Sequence, residues 1–156
     1  MYIRAGCVRH GERRKMLKDR IEEMKKEFPE GLVSGRGGCK FCGQIVAIEV
    51  PADWEDQERD ELATEMCECI SATIYTRKKQ QKERAAKAIE KQFGADTGTE
   101  EEVKNLLLDI ADKVIDLKIN SGTIDIGNGV KAKIGITGKG NVKVERTKTE
   151  KATQEA

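Results

Sequence analysis

Apolar positions recur with helical spacing in four stretches of the chain and alternate with polar ones near its end. Leu17, Ile21, Met24 and Phe28 mark one face of an otherwise Lys-, Arg- and Glu-rich segment, which predicts an amphipathic helix over 12–28 stopped by Pro29 and Gly31. Residues 31–38, GLVSGRGG, read as a glycine-rich linker. The run Gln44–Val50 is strand-like and ends at Pro51, after which Asp53 can cap a helix with Trp54, Leu62 and Met66 on its apolar side. A longer helix is predicted over 70–93, with Ile74, Gln81, Ala85, Ala88, Ile89 and Phe93 on one face and Gly94 as its stop.

Thr99 and Glu102 have capping-box spacing ahead of Val103, Leu106, Ile110, Val114 and Leu117, which predicts a helix over 99–117. The period then changes. Ile124 and Ile126, Val130 to Ile136, and Val142 with Val144 alternate with polar residues, separated by Gly127-Asn128-Gly129 and Gly138-Lys139-Gly140-Asn141. This predicts a three-stranded antiparallel meander packed on the 99–117 helix. The expected fold class is α+β: a four-cysteine zinc-knuckle helical lobe followed by a helix and a three-stranded antiparallel β-meander. Its expected divisions are an arm and helix over 1–30, a knuckle lobe over 31–94, a helix and meander over 95–148, and a disordered tail over 149–156. The first fifteen residues carry no pattern, and read either as a flexible arm or as translation upstream of a start at Met16 or Met24.

Composition adds a constraint. The chain is 37% hydrophobic, 37% charged and 4% aromatic, a lean supply for a core, and small lobes of this kind often need a staple. No apolar run reaches the roughly 20 residues of a membrane span, and the basic N-terminus lacks a secretion signal's apolar core. A cytoplasmic, reducing setting is expected, where clustered cysteines mean metal more often than disulfides.

Cys39 and Cys42 have the two-residue spacing that lets two thiolates converge from one turn, and Gly43 gives that turn backbone freedom. Cys67 and Cys69 form a second pair. On a continuous helix they would point to nearly opposite sides, so a break is expected between Met66 and Ile70. The expected site is a closed tetrahedral set of Cys39, Cys42, Cys67 and Cys69 holding structural Zn2+, with iron as another metal and buried metal-free cysteines as the alternative. Four sulfurs leave no position for substrate, and His10 is the sole histidine, so no enzymatic role is expected. Cys7 and His10 also have ligand-like spacing, read as incidental. The glycine-rich 31–38 segment lacks the Gly-Lys-Ser/Thr ending of a phosphate loop.

The net charge of +1 conceals blocks: eight acidic against one basic residue over 52–69, and seven basic against two acidic over 77–91. Arg77, Lys78, Lys79, Lys82 and Arg84 on the helix, with Lys131, Lys133 and Lys143 in the meander, are the candidate nucleic-acid-binding residues, and Phe41 at the knuckle could stack on a base. Neutralisation between neighbouring segments, and edge lysines that discourage sheet aggregation, explain the same blocks without nucleic acid.

The runs GCKFCGQIVAIEV, ATEMCECISATIY and VKAKIGITGKGNVKVERTK look like those of small uncharacterised zinc-knuckle proteins encoded by phages and prophages of Firmicutes. The resemblance spans most of 34–148. It implies the cytoplasm of a bacterial host cell and an accessory or regulatory role, and it brings no catalytic residues. Two functions are therefore expected in competition. One is nucleic-acid binding through the basic helix and hairpin. The other is a protein-binding inhibitor or adaptor, such as an anti-CRISPR-like antagonist of a host defence nuclease, using the acidic faces at 53–68 and 100–116.

Overall fold

The computed structural model describes residues 10–149, with side chains from residue 18 onward. Cys7, the side chain of His10, the arm before residue 10 and the tail beyond residue 149 lie outside the described residues. The fold is α+β, with four α-helices, a two-stranded sheet and a three-stranded antiparallel sheet. It divides into two compact units, the first ending at Arg77 and the second beginning at Lys78. The boundary falls inside the longest helix rather than at Gly94.

In the first unit, helix α1 (His10–Glu27) starts two residues earlier than expected. The segment read as a linker is a strand, β1 (Val33–Gly38), paired antiparallel with β2 (Ile45–Val50) from Val33↔Val50 to Gly38↔Ile45. Gly37 in this strand serves packing rather than flexibility. Helix α2 (Asp56–Met66) lies so close to β1 that a Cβ on Gly37 would sit 2.3 Å from the Arg59 carbonyl oxygen and 2.9 Å from the Ala63 Cβ. The cap of α2 is Glu55 rather than Asp53, and the Glu55 amide donates to the Glu58 carboxylate at 2.9 Å. Met24, Ile48, Val50 and Leu62 form the small core, flanked by Ile21, Val46, Trp54 and Met66. Arg20 on α1 pairs at 2.7 Å with Glu65 on α2, a buried carboxylate.

Helix α3 (Ile70–Phe93) has the predicted bounds, but its first exposed side differs from expectation: Ile74 is 53% exposed, and Ala72 and Thr76 are buried instead. Gly94 follows it with an ordinary negative φ. A side chain there would meet the Glu90 carbonyl oxygen at 2.4 Å, so the glycine answers crowding rather than a left-handed cap.

The second unit layers helices on the meander. Helix α4 (Glu101–Ile115) begins two residues later than expected and is not capped by Thr99. A 3-10 turn over Ala95–Thr97 comes first and engages the threonines: the Thr97 hydroxyl donates to the Gly94 carbonyl at 2.7 Å and lies 2.8 Å from the Thr99 hydroxyl. Strands β3 (Ser121–Gly127), β4 (Val130–Ile136) and β5 (Val142–Lys148) pair in that order, and the pairing runs to Lys148, opposite Val130. Ala85, Ile89 and Phe93 of α3, Leu107, Ala111, Val114 and Ile115 of α4, and Ala132 and Ile134 of β4 form the core. Within the Leu106–Leu108 run the buried residue is Leu107, while Leu106 is exposed, and Leu117 is exposed beyond the helix end at φ 59°. Gln81 and Gln92 of α3 donate to the carbonyls of Gly140 and Val144 at 2.9 and 3.0 Å, fastening the helix to the β5 side of the sheet.

Lys78 reaches Asp116 at 3.0 Å and Lys82 reaches Asp112 at 3.2 Å. The hydrogen bond from Lys78, with attraction from Lys82 and Lys118, holds the Asp116 carboxyl below the usual range against a smaller opposing effect of burial. A depressed folded-state pKa gives stability that is present above the unfolded value and lost as pH falls through the folded one. Asp116→Asn should therefore remove part of the acid-side decline in a urea-denaturation series between pH 7 and the carboxylate range.

Gly37→Ala should destabilise the chain by about 1–3 kcal/mol in chemical denaturation, because the methyl group meets backbone. Gly138→Ala, with nothing within 4 Å of its Cβ, should stay within about 0.5 kcal/mol.

Candidate metal centre

The tip of the β1–β2 hairpin is the segment Cys39–Gln44. The Cys39 amide donates to the Gln44 carbonyl at 2.9 Å and the Gly43 amide to the Cys39 carbonyl at 2.8 Å, so the chain turns back within five residues. Gly43, at φ 72°, supplies the left-handed step that closes the knuckle. This turn aims the sulfurs of Cys39 and Cys42 to one side.

The second pair comes from the expected break. Helix α2 ends at Met66, and Cys67 is extended at φ −70°, ψ 137°, while its amide still donates to the Ala63 carbonyl at 3.0 Å. Helix α3 starts at Ile70, and the Ala72 amide points at the Cys69 sulfur at 3.4 Å. Cys69 thus stands as the N-cap of α3, its sulfur accepting from the Ala72 amide.

All four sulfurs lie within 4.8 Å of one another. The separations are 3.4 Å for Cys42–Cys67 and 3.9 Å for Cys39–Cys69. A metal–sulfur distance of about 2.3 Å in a tetrahedron places ligand sulfurs about 3.8 Å apart, whereas a disulfide needs about 2.0 Å. Their spacing is that of a tetrahedral donor set rather than of disulfides. Cys39 and Cys67 are 3% and 6% exposed, and Cys42 is the exposed member.

Helix α2 fixes this geometry through two residues the sequence analysis did not single out. The Asp60 carboxylate accepts from the Gly38 amide at 2.7 Å. The buried Thr64 hydroxyl accepts from the Lys40 amide at 3.0 Å and donates to the Asp60 carbonyl at 2.7 Å. Asp60, Thr64 and Cys67 follow one another at four- and three-residue spacing on one face of α2, a signal readable only once the hairpin is known to lie along it. Lys40 and Tyr75 both engage Glu61, and Phe41 packs on Tyr75 with ring centroids 5.5 Å apart.

The electrostatics of four clustered thiols favour a cation. At Cys39, burial opposes ionisation, but the amides of Cys42 and Phe41 and the neighbouring thiols outweigh it and bring the group down to about 6. At Cys67 the Cys69 amide favours the thiolate, yet burial and the surrounding sulfurs push it up to about 12. One negative charge is thus welcomed and a second resisted. A divalent ion removes that resistance, and the all-sulfur set suits zinc or iron rather than magnesium or calcium. The four residues fit a metal ion with no open coordination position.

The basic candidates do not form one surface. Within the second unit, α3 packs on the apolar face of the meander, while the register puts Lys131, Lys133 and Lys143 on the opposite face. Lys131 pairs with Asp125 at 3.5 Å, and Lys143 pairs with Glu145, which also stands opposite Lys133. On α3, Lys78 and Lys82 are bound to α4, and Arg77 and Lys79 are half-buried. Arg84, Lys87 and Lys91 are exposed and make no ion pair among the described residues.

No family model, curated protein or solved structure matches the chain.

Purified without chelator, the chain should carry about one metal ion per molecule by elemental analysis, with occupancy falling on acidification as protons compete for the thiolates. Thr64→Val should lower metal affinity roughly 10–100-fold in a chelator competition, because the Lys40 amide loses its acceptor.

Proposed function

We propose that this is a non-enzymatic accessory protein whose cysteine cluster holds a structural zinc ion, and that it works by binding another protein. The observation that carries this reading is the exposure of large apolar side chains on segments positioned by the sulfurs. Phe41, between two ligands, is 49% exposed, and Ile70 and Ile74, on the first turns of α3 after Cys69, are 80% and 53% exposed. Ile70 and Ile74 are four apart and share a helix face. Tyr75 packs on Phe41, so the knuckle and the start of α3 are in contact. Such exposure next to a stapled site marks a contact surface for a partner.

The charge pattern supports a protein rather than a nucleic acid. At least half of the eight basic candidates neutralise the chain's own Asp and Glu side chains, and the basic helix and meander lysines face apart. The acidic faces are likewise partly neutralised, by Arg20 and Lys40 on α2 and by Lys78 and Lys82 on α4, which weighs against nucleic-acid mimicry. Together with the resemblance to phage-encoded proteins, the reading is of an antagonist or adaptor acting on a host protein in a reducing cytoplasm. Among the described residues no helix is long and apolar enough to cross a membrane. Nucleic-acid binding is the second reading, favoured by the exposed Arg84, Lys87 and Lys91.

The two readings separate in one comparison. Ile70→Ser with Ile74→Ser should keep the metal and the helical content but abolish recovery of a specific host protein. Arg84→Glu with Lys87→Glu should leave that recovery intact. Retention of nucleic acid that weakens with added salt and with the charge reversals would overturn the protein-binding reading.

A further inference from the structure

The four sulfurs are unequal in a way that a purely structural staple does not require. Cys39 and Cys67 are buried and Cys69 is half-buried as the cap of α3, whereas Cys42 is exposed on the hairpin tip. An oxidant arriving from water meets the Cys42 sulfur first. Its neighbour at 3.4 Å is the Cys67 sulfur, which belongs to a different segment and is sheltered from solvent. An accessible sulfur beside a buried one is the arrangement of an attacking and a resolving thiol.

From this asymmetry we propose that Cys42 is an oxidation site for hydrogen peroxide, and that its capture by Cys67 forms a disulfide that ejects the metal. The inference rests on the zinc reading of the cysteine cluster. In the first step the Cys42 thiolate attacks a peroxide oxygen. The O–O bond breaks, the sulfur becomes a sulfenic acid, and hydroxide leaves. In the second step the Cys67 thiolate attacks the Cys42 sulfur, the S–O bond breaks, and a second hydroxide leaves. Two thiolates lose two electrons in total, one peroxide gains them, and solvent protonates both hydroxides. The metal loses two of its four ligands and dissociates, since the remaining Cys39 and Cys69 sulfurs do not complete a tetrahedron.

The product keeps one tie and loses another. The new bond still joins the hairpin tip to the end of α2, replacing one link that the metal provided. Cys69 is set free, so Ile70 and Ile74 are no longer fixed relative to Phe41 by a shared ion. Hydrogen peroxide would thereby weaken the apolar surface without unfolding the hairpin.

The test uses the full chain carrying Cys7→Ser, which leaves the four site sulfurs as its only cysteines. Elemental analysis first establishes the zinc content. Hydrogen peroxide is then added in steps, released zinc is read with a chromogenic chelator, and disulfides are mapped by mass spectrometry. Trypsin cleaves after Lys40 and so separates Cys39 from Cys42, while fragmentation distinguishes Cys67 from Cys69. The expected result is one zinc released per chain as the Cys42–Cys67 bond forms, with both changes reversed by dithiothreitol and added zinc. A first bond within either local pair, Cys39–Cys42 or Cys67–Cys69, would overturn the inference, as would peroxide consumption with zinc still bound. A chain holding no zinc before oxidant is added would instead defeat the metal reading. Mapping the first bond in that metal-free chain would still decide whether Cys42 and Cys67 are the reacting pair.

Discussion

The convergence of four sulfurs within 4.8 Å sets the terms for the whole first unit. Two come from the tip of a hairpin and two from the gap between consecutive helices, so any ion they hold joins four places in the chain at once. The apolar core beneath them has four buried side chains, Met24, Ile48, Val50 and Leu62. A core of that size contributes little against the entropy of ordering the surrounding segments. The mutual resistance of the thiols to a second negative charge turns into attraction once a cation is present. Asp60 and Thr64 then act as a frame, tying the backbone of the hairpin tip to the helix that ends in Cys67.

The second unit needs no such staple. Its core draws on two helices and the inner face of the meander, and Phe93, Ile89, Leu107, Ile134 and Val114 are almost fully buried within it. Charge there is used internally. The basic side of α3 meets the acidic side of α4, and the polar face of the sheet alternates lysine with Asp125 and Glu145. Exposed among the described residues are apolar side chains beside the cysteines and a short basic run at Arg84, Lys87 and Lys91.

Much of the site was legible in the sequence because its logic is local. The Cys-x-x-Cys turn with Gly43 specifies a knuckle, and two cysteines separated by one residue cannot share an ion on an unbroken helix. The break between Met66 and Ile70 followed from that geometry alone. Helix α3 and the three meander strands were equally readable, since long periodic segments and Gly-Asn-Gly turns express backbone preferences that need no distant contact. The same was true of the α+β class.

Other features depended on contacts between distant parts of the chain. Gly37 looks like part of a linker until α2 is laid against it, and only then does the absence of a side chain become a packing requirement. The buried phase of the Leu106–Leu108 run was undecidable from spacing, because three successive leucines fit more than one helical face. Thr99 has the spacing of a cap, yet a preceding 3-10 turn takes up its hydroxyl. The basic residues show the limit most plainly: sequence records that lysines at 78, 82, 131 and 143 carry charge, but not that Asp116, Asp112, Asp125 and Glu145 stand beside them. By itself, then, the sequence determined most of the elements and the four cysteines that come together, which follow from neighbours a few residues apart. Tertiary structure alone decided which glycines are pressed against backbone, which leucine is buried and which charges are already neutralised, because each depends on residues brought together from far along the chain.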